Sequence, residues 1–282
     1  MKLVSYLLDD GVHYGAVKGK KVVDLKTRLP YADFVAFIAA GAQEQAQKLI
    51  DGEEGDYAYD SLTLLPVVPN PGKIICIGIN YEDHRVEAGR DRTENPMVFA
   101  RFAESQTAHR RPIKRAPRVS TQLDYEAELL VVMGRRAPRY TARKDALKHV
   151  FGYSCYNEAC HRDWQFHTRQ LTPGKNFEST GASGPWIVTA DEIPNPQTLK
   201  LQMRLNGKTM QDAHTSQMVW PIDVLIEYIT SWLPLNPGDL IVSGTPGGVG
   251  FKRTPPVFMQ PGDIAEVEIE KVGVLSNPIV DE

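Results

Sequence analysis

From Lys73 onward, short β-rich runs recur: KIICIGIN, PMVFARF, EAELLVVMG, PWIVT, LKLQMRLNG, DLIVSG and AEVEIEKVG. Gly, Pro, Asn and Asp punctuate them, the residues that turn a chain between strands. Two helical patterns intervene, ARKDALKHVF, opened by Thr141, and IDVLIEYITSWL, after Pro221. A doubly wound parallel sheet needs a helix after nearly every strand, so this pattern argues against one. A correctly spaced GxGxxG is also missing. The expected fold class is β-rich α+β.

Residues 1 to about 65 read differently. KLVSYLL, HYGAVKG and KKVVDL predict short strands separated by DDG and GKK turns. DFVAFIAAGAQEQAQKLI predicts a helical stretch with Phe34, Phe37, Ile38 and Ala42 at helical spacing. Pro66, Pro69 and Pro71 then crowd together as a linker. We therefore expect a small N-terminal α/β domain over residues 1–66 and a larger domain over 67–282.

Composition narrows the class of protein. A chain of 282 residues has room for a sizeable core, and 42% hydrophobic against 24% charged residues is incompatible with wholesale disorder. The formal net charge of -3 offers no blanket attraction to nucleic acid or anionic membrane. One basic run, HRRPIKRAPR, holds Arg110, Arg111, Lys114, Arg115 and Arg118, without the aromatic interleaving of a nucleic-acid surface. It reads as a solvated loop able to steer an anionic substrate. Three cysteines are too few for a disulfide scaffold, and the MKLVSYLLDD start is too short for a secretory signal. The expectation is a cytoplasmic protein with neither membrane nor nucleic-acid partner.

The strongest chemical signal is LDYEAELLVVMG. In a strand, Glu126 and Glu128 project to the same face with Cα atoms about 6.5–7 Å apart. The apolar run Leu129–Met133 drives that strand deep into the protein, where two anions need a positive partner. A hard cation such as Mg²⁺ or Mn²⁺ suits oxygen-only ligation, while two glutamates facing water or paired with arginines are the alternative. A second acidic stretch, GYSCYNEACHRDWQFH, carries Glu158, Asp163 and Gln165 at what reads as the end of a strand. Cys155, Cys160, His161 and His167 could suggest zinc, but their spacing is wrong for a finger.

Three further stretches carry candidates. In IGINYEDHRVEAG, Asn80 is a plausible N-cap and Gly89 an end for a short helix. His84 and Glu87 share a face of it, as a base oriented by a carboxylate or as a surface pair. In SGTPGGVGF, backbone N–H groups and the Thr245 hydroxyl could approach a small anion, or the loop could simply be a tight turn. In PGKNFEST, Lys175 is either a charge-neutralising group or a solvated lysine.

Taken in order, six motifs resemble those of the fumarylacetoacetate hydrolase family over about residues 70 to 280. They are IGINYEDHRVEAG, LDYEAELLVVMG, GYSCYNEACHRDWQ, PGKNFESTGASGPW, LNGKTMQDAHTSQM and LNPGDLIVSGTPGGVG. The chain is most similar to the short 2-hydroxyhepta-2,4-diene-1,7-dioate isomerase and acylpyruvase-like members. The resemblance implies a mixed β-roll, usually homodimeric, binding one Mg²⁺ or Mn²⁺ per chain. It implies Glu126, Glu128 and Glu158 as metal ligands, with Glu158 standing where relatives most often have Asp. It implies His84, Glu87 and Lys175 as catalytic residues. Thr245, Gln165 and Arg101 are implied at the substrate, Arg101 replacing a lysine common in relatives.

The implied substrates are small anionic 2-oxo acids, and the implied reaction is metal-dependent hydrolysis of a C–C bond in a 2,4-dioxo acid of acylpyruvate type. Decarboxylation of an oxaloacetate-type acid, hydration of a 2-oxo-pentenoate and keto–enol isomerisation would use the same site. A non-catalytic, metal-containing binding protein is the alternative from another class.

Overall fold

A computed structural model describes all residues, 1–282. Two sheets hold all but two of the nineteen strands, one of twelve strands and one of five. The fold is β-rich α+β, as the strand-dense sequence predicts.

The strand Ala127–Met133 lies inside the large sheet, paired antiparallel with Val150–Glu158 on one side and Leu240–Val242 on the other. Its side chains alternate between two cores. Leu129, Val131 and Met133 join the core shared with the smaller sheet, which contributes Leu201, Met203, Val267 and Leu275. Leu130 and Val132 enter a second core with Leu3, Tyr14, Phe34 and Phe37. A strand covered on both faces has no polar side to show, and this explains the continuous apolar run.

Phe34 and Phe37 come from the N-terminal segment, so the second core crosses the proline-rich stretch at 66–71. The ladder crosses it too: Lys2–Leu8 pairs with Gly181–Thr189, Leu3 opposite Ile187. The predicted N-terminal strands are present at Lys2–Leu8, Gly11–Lys18 and Lys21–Asp24.

Two helix boundaries differ from expectation. The stretch at 33–50 is two helices, Phe34–Ala40 and Gln43–Asp51, because Gly41 takes a left-handed conformation (φ 62°) and ends the first. Thr141 does not cap the next predicted helix; its hydroxyl donates to Pro138 O, and the α-helical turn is confined to Arg143–Ala146. The Pro221 helix runs over Ile222–Trp232 as predicted.

No helix is long and apolar enough to cross a membrane.

Candidate metal centre and active site

Strand pairing assembles the acidic centre. Ala127 lies opposite Asn157 and Glu128 opposite Tyr156, which brings Glu158, at the end of its strand, across from Glu126. The Glu158 N–H donates to Glu126 O at 2.8 Å. All three carboxylates are buried, and one oxygen from each lies within 4.8 Å of the others.

Three buried cations stand among them. Lys175 Nζ donates to Glu126 Oε2 at 2.6 Å and also pairs with Glu158. Arg162 reaches Glu126 Oε1 at 2.7 Å and Asp124 Oδ2 at 2.8 Å. Arg101 pairs with Glu158. Burial alone would push all three glutamates up, yet Lys175 and Arg162 hold Glu126 well below the usual carboxylate range. Glu158 ends raised, burial outweighing its two cations. Glu128 is pushed furthest up, by burial and by the charges of Glu158 and Glu126. It forms no ion pair, and its one polar partner is the Gly244 N–H.

With Asp124, four buried carboxylates thus meet three buried cations, one unit of negative charge in excess. A hard divalent ion fits this oxygen-only donor set, relieves Glu128 and turns the site net positive.

Helix Glu82–Ala88 carries the imidazole. His84 is 5% exposed, and its Nδ1 lies 3.4 Å from Glu87 Oε2. Burial would raise Glu87, but His84 and the Gly248 N–H, 3.1 Å from both carboxylate oxygens, hold it below its ordinary value. The helix ends at Gly89 (φ 65°) as predicted, but Asn80 is not its cap. Tyr81 occupies the cap position, and Asn80 Nδ2 donates instead to Trp220 O and Ser243 O at 3.1 and 2.7 Å. Ile79, just before, sits at φ 56°, a conformation a β-branched side chain adopts only under constraint.

The glycine loop inverts its expected role. Its N–H groups do face anions, but the anions belong to the protein: Gly244 serves Glu128, Gly248 serves Glu87, and Gly250 and Phe251 serve Asp124. Thr245 Oγ1 is engaged as well, donating to Ala127 O at 3.0 Å and accepting from Gln211 Nε2 at 2.9 Å.

A cavity of about 370 Å³ opens on these groups. His84, Glu126, Glu128, Lys175, Gln165 and Thr245 line it. Glu87 and Glu158 do not line it. Arg101, expected at the substrate, does not line the cavity: it is buried, pairs with Glu158, and donates to Thr180 Oγ1 and Ala159 O. Arg162 and Asp124 were not among the predicted site residues; the R-D-x-Q stretch and the Asp before Y-E-A-E were the available signals.

The group of side chains close enough to share an ion is Glu126, Glu128 and Glu158, and includes none of the Cys and His side chains of 155–167. His161 is buried, its ring tilted 51° to that of Phe177 with the centroids 4.3 Å apart. In the basic run, Arg110, Lys114 and Arg115 are paired with Asp60, Glu178 and Asp281, and none of the five lines the cavity.

A buried carboxylate triad that could hold a metal ion thus shares one cavity, through Glu126 and Glu128, with a histidine and a lysine. The chain belongs to the fumarylacetoacetate hydrolase family: the family's C-terminal domain model, "Fumarylacetoacetate (FAA) hydrolase C-terminal", matches residues 73–280. Oxaloacetate tautomerase YisK of Bacillus subtilis is 40% identical over 290 residues, covering 98% of this chain and 95% of that one. The mitochondrial oxaloacetate tautomerase fahd2 of Xenopus laevis is 38% identical over 241 residues, 85% of this chain and 75% of that one. Maleylpyruvate hydrolase from Sphingobium sp. SYK-6, solved with manganese(II) and pyruvate, superposes with a TM-score of 0.83 at 26% identity, covering 100% of this chain and 99% of that one. The protein is an enzyme, and the non-catalytic alternative is set aside.

Proposed function

We propose that the enzyme catalyses keto–enol tautomerisation of a small 2-oxo acid of the oxaloacetate type, with one Mg²⁺ or Mn²⁺ held by Glu126, Glu128 and Glu158. The observation that carries this reading is His84 on the wall of the same cavity as Glu126 and Glu128. The bound ion would supply Lewis-acid polarisation of the acid's carboxylate and 2-oxo oxygens.

The remaining work falls to side chains. His84 is placed to move a proton at C3, beside the 2-oxo group. Glu87 lies on the Nδ1 side of the ring, leaving Nε2 to exchange that proton. Lys175, buried between Glu126 and Glu158, favours the ionised form of Glu126 and presents positive charge to the developing enolate. Gln165 and Thr245 shape the wall around the acid; the Thr245 hydroxyl can donate to a substrate only by exchanging its bond to Ala127 O.

Hydrolysis of a C–C bond in a 2,4-dioxo acid is a second reading. The His84–Glu87 pair favours it, since a carboxylate-backed imidazole also suits activation of a water.

The test is Mn²⁺-loaded enzyme with enol oxaloacetate, followed by NMR in D₂O. Ketonisation and deuterium entry at C3 above the rate with Mn²⁺ alone, the carbon skeleton intact, is the expected result. Pyruvate as the first product would make it a decarboxylase. Cleavage of an acylpyruvate with no oxaloacetate tautomerisation would select the hydrolytic reading.

A further inference from the structure

Glu158 is the one member of the carboxylate triad that does not line the cavity, and both its oxygens are held from within the protein. Arg101 Nε donates to Oε1 and Lys175 Nζ to Oε2. The two cations grip one carboxylate as the arms of a pincer. Like charges that close repel each other, and these two come from segments far apart in sequence.

Strand alternation explains the first arm. In Met97–Arg101, residues Met97, Phe99 and Arg101 project to one face. Met97 and Phe99 line the cavity, while Arg101, at the end of the strand, reaches Glu158. Its fork also meets Ala159 O through NH2, and Thr180 Oγ1 through NH1 at 3.1 Å. A lysine ammonium, with all its donors on one nitrogen, offers no such span.

The residue after Lys175 ties the second arm to the first. Asn176 Oδ1 accepts from the Phe102 N–H at 2.8 Å, and Asn176 Nδ2 donates to Ala100 O at 3.2 Å and to Thr172 O at 3.0 Å. Both neighbours of Arg101 are thus bonded to the neighbour of Lys175. The Lys175 ammonium also lies 5.4 Å from the ring centroid of Phe99, on the same strand as Arg101. Asn176 itself does not line the cavity and bonds to none of the three carboxylates. We propose that Asn176 is a positioning residue of the centre: by stapling Arg101 to Lys175 it sets the pincer that places Glu158 beside Glu126 and Glu128. The inference rests on the proposed ligand set of those three glutamates. Groups that orient a ligand without touching the ion govern metal affinity by about tenfold to a hundredfold.

The test is calorimetric binding of Mn²⁺ to the whole chain, without substrate, in the wild type, Asn176→Ala, Arg101→Lys and the double variant. Asn176→Ala is expected to bind Mn²⁺ about tenfold more weakly or worse. Arg101→Lys, which keeps the charge but not the fork, is expected to do the same. The double variant should lose less than the product of the two factors, because both changes act on one contact. Unchanged or tighter binding by Asn176→Ala overturns the staple and leaves the ligand set standing. Full multiplication of the two factors overturns a shared path through Glu158. Wild-type affinity in Arg101→Lys overturns the pincer. Failure of the wild type to bind Mn²⁺ removes the ligand set and the staple together. Where Asn176→Ala folds poorly, Asn176→Ser, too short to bridge both backbone groups, takes its place, and unchanged affinity there overturns the staple equally.

Discussion

At position 128 a carboxylate is buried with one backbone N–H for company and two other carboxylates within 4.8 Å. Glu128→Gln keeps the acceptor for Gly244 and removes the repelling charge. Metal-free Glu128→Gln is expected to be more stable than the metal-free wild type, and to lose Mn²⁺ binding. Urea unfolding and calorimetry measure the two effects, and a variant that is less stable yet still binds Mn²⁺ would remove Glu128 from the ligand set. His84→Ala is expected to leave Mn²⁺ affinity intact while turnover falls by about a hundredfold or more; unaltered turnover would take His84 out of the mechanism. His161 makes a different demand. Burial holds its imidazole down to about 4, and neither ring nitrogen has a partner. The unfolded chain takes up this proton near pH 6.5, the folded protein only near pH 4, so stability from this group is present above pH 6.5 and is lost as the pH falls towards 4. Between pH 7 and pH 5 the loss is about 2 kcal/mol. His161→Phe should remove that share of the slope in urea titrations at the two pH values; an unchanged slope would show that other groups carry it.

Among the elements, the glycine loop does the most for the site, because its backbone donors hold Glu128, Glu87 and Asp124 at once. Gly244 stands at φ 100°, and a Cβ there would come within 2.5 Å of Asn80 Cβ. Gly244→Ala is therefore expected to cost about 1–3 kcal/mol of stability and to weaken Mn²⁺ binding, since Asn80 and the Glu128 contact must both move. Urea unfolding with calorimetry checks this, and wild-type behaviour in both would refute the role given to the loop. The short helix Glu82–Ala88 was legible from His84, Glu87 and Gly89, yet its start was misread. Asn80 prefers three bonds to residues far along the chain over a cap bond to its neighbours. Gly41 was visible within the predicted helix, but only the folded chain shows whether a glycine interrupts a helix or is tolerated inside one.

For the molecule as a whole, metal and fold should be linked. Four buried carboxylates against three cations leave the metal-free protein short of positive charge, so an ion bound only by the folded state raises its stability. At a free Mn²⁺ concentration about a hundredfold above Kd, the gain is about 2.7 kcal/mol, several degrees of thermal midpoint in a chain this long. Thermal scans with Mn²⁺ and with a chelator measure it; no shift would refute a metal centre built from these glutamates. The sequence by itself determined the β-rich class, the burial of Leu129–Met133 and the shared face of Glu126 and Glu128. Those features follow from local rules, the two-residue period of a strand and the aversion of apolar side chains to water. It did not determine that Arg101 serves Glu158, that Arg162 bridges Asp124 and Glu126, or that the glycine loop cradles the protein's own carboxylates. Nor did it join Lys175 to Arg101 through Asn176. Such pairings depend on which strand ends and loops meet in space, and only the tertiary structure decides the energy of a buried charge, because its neighbours come from everywhere in the chain.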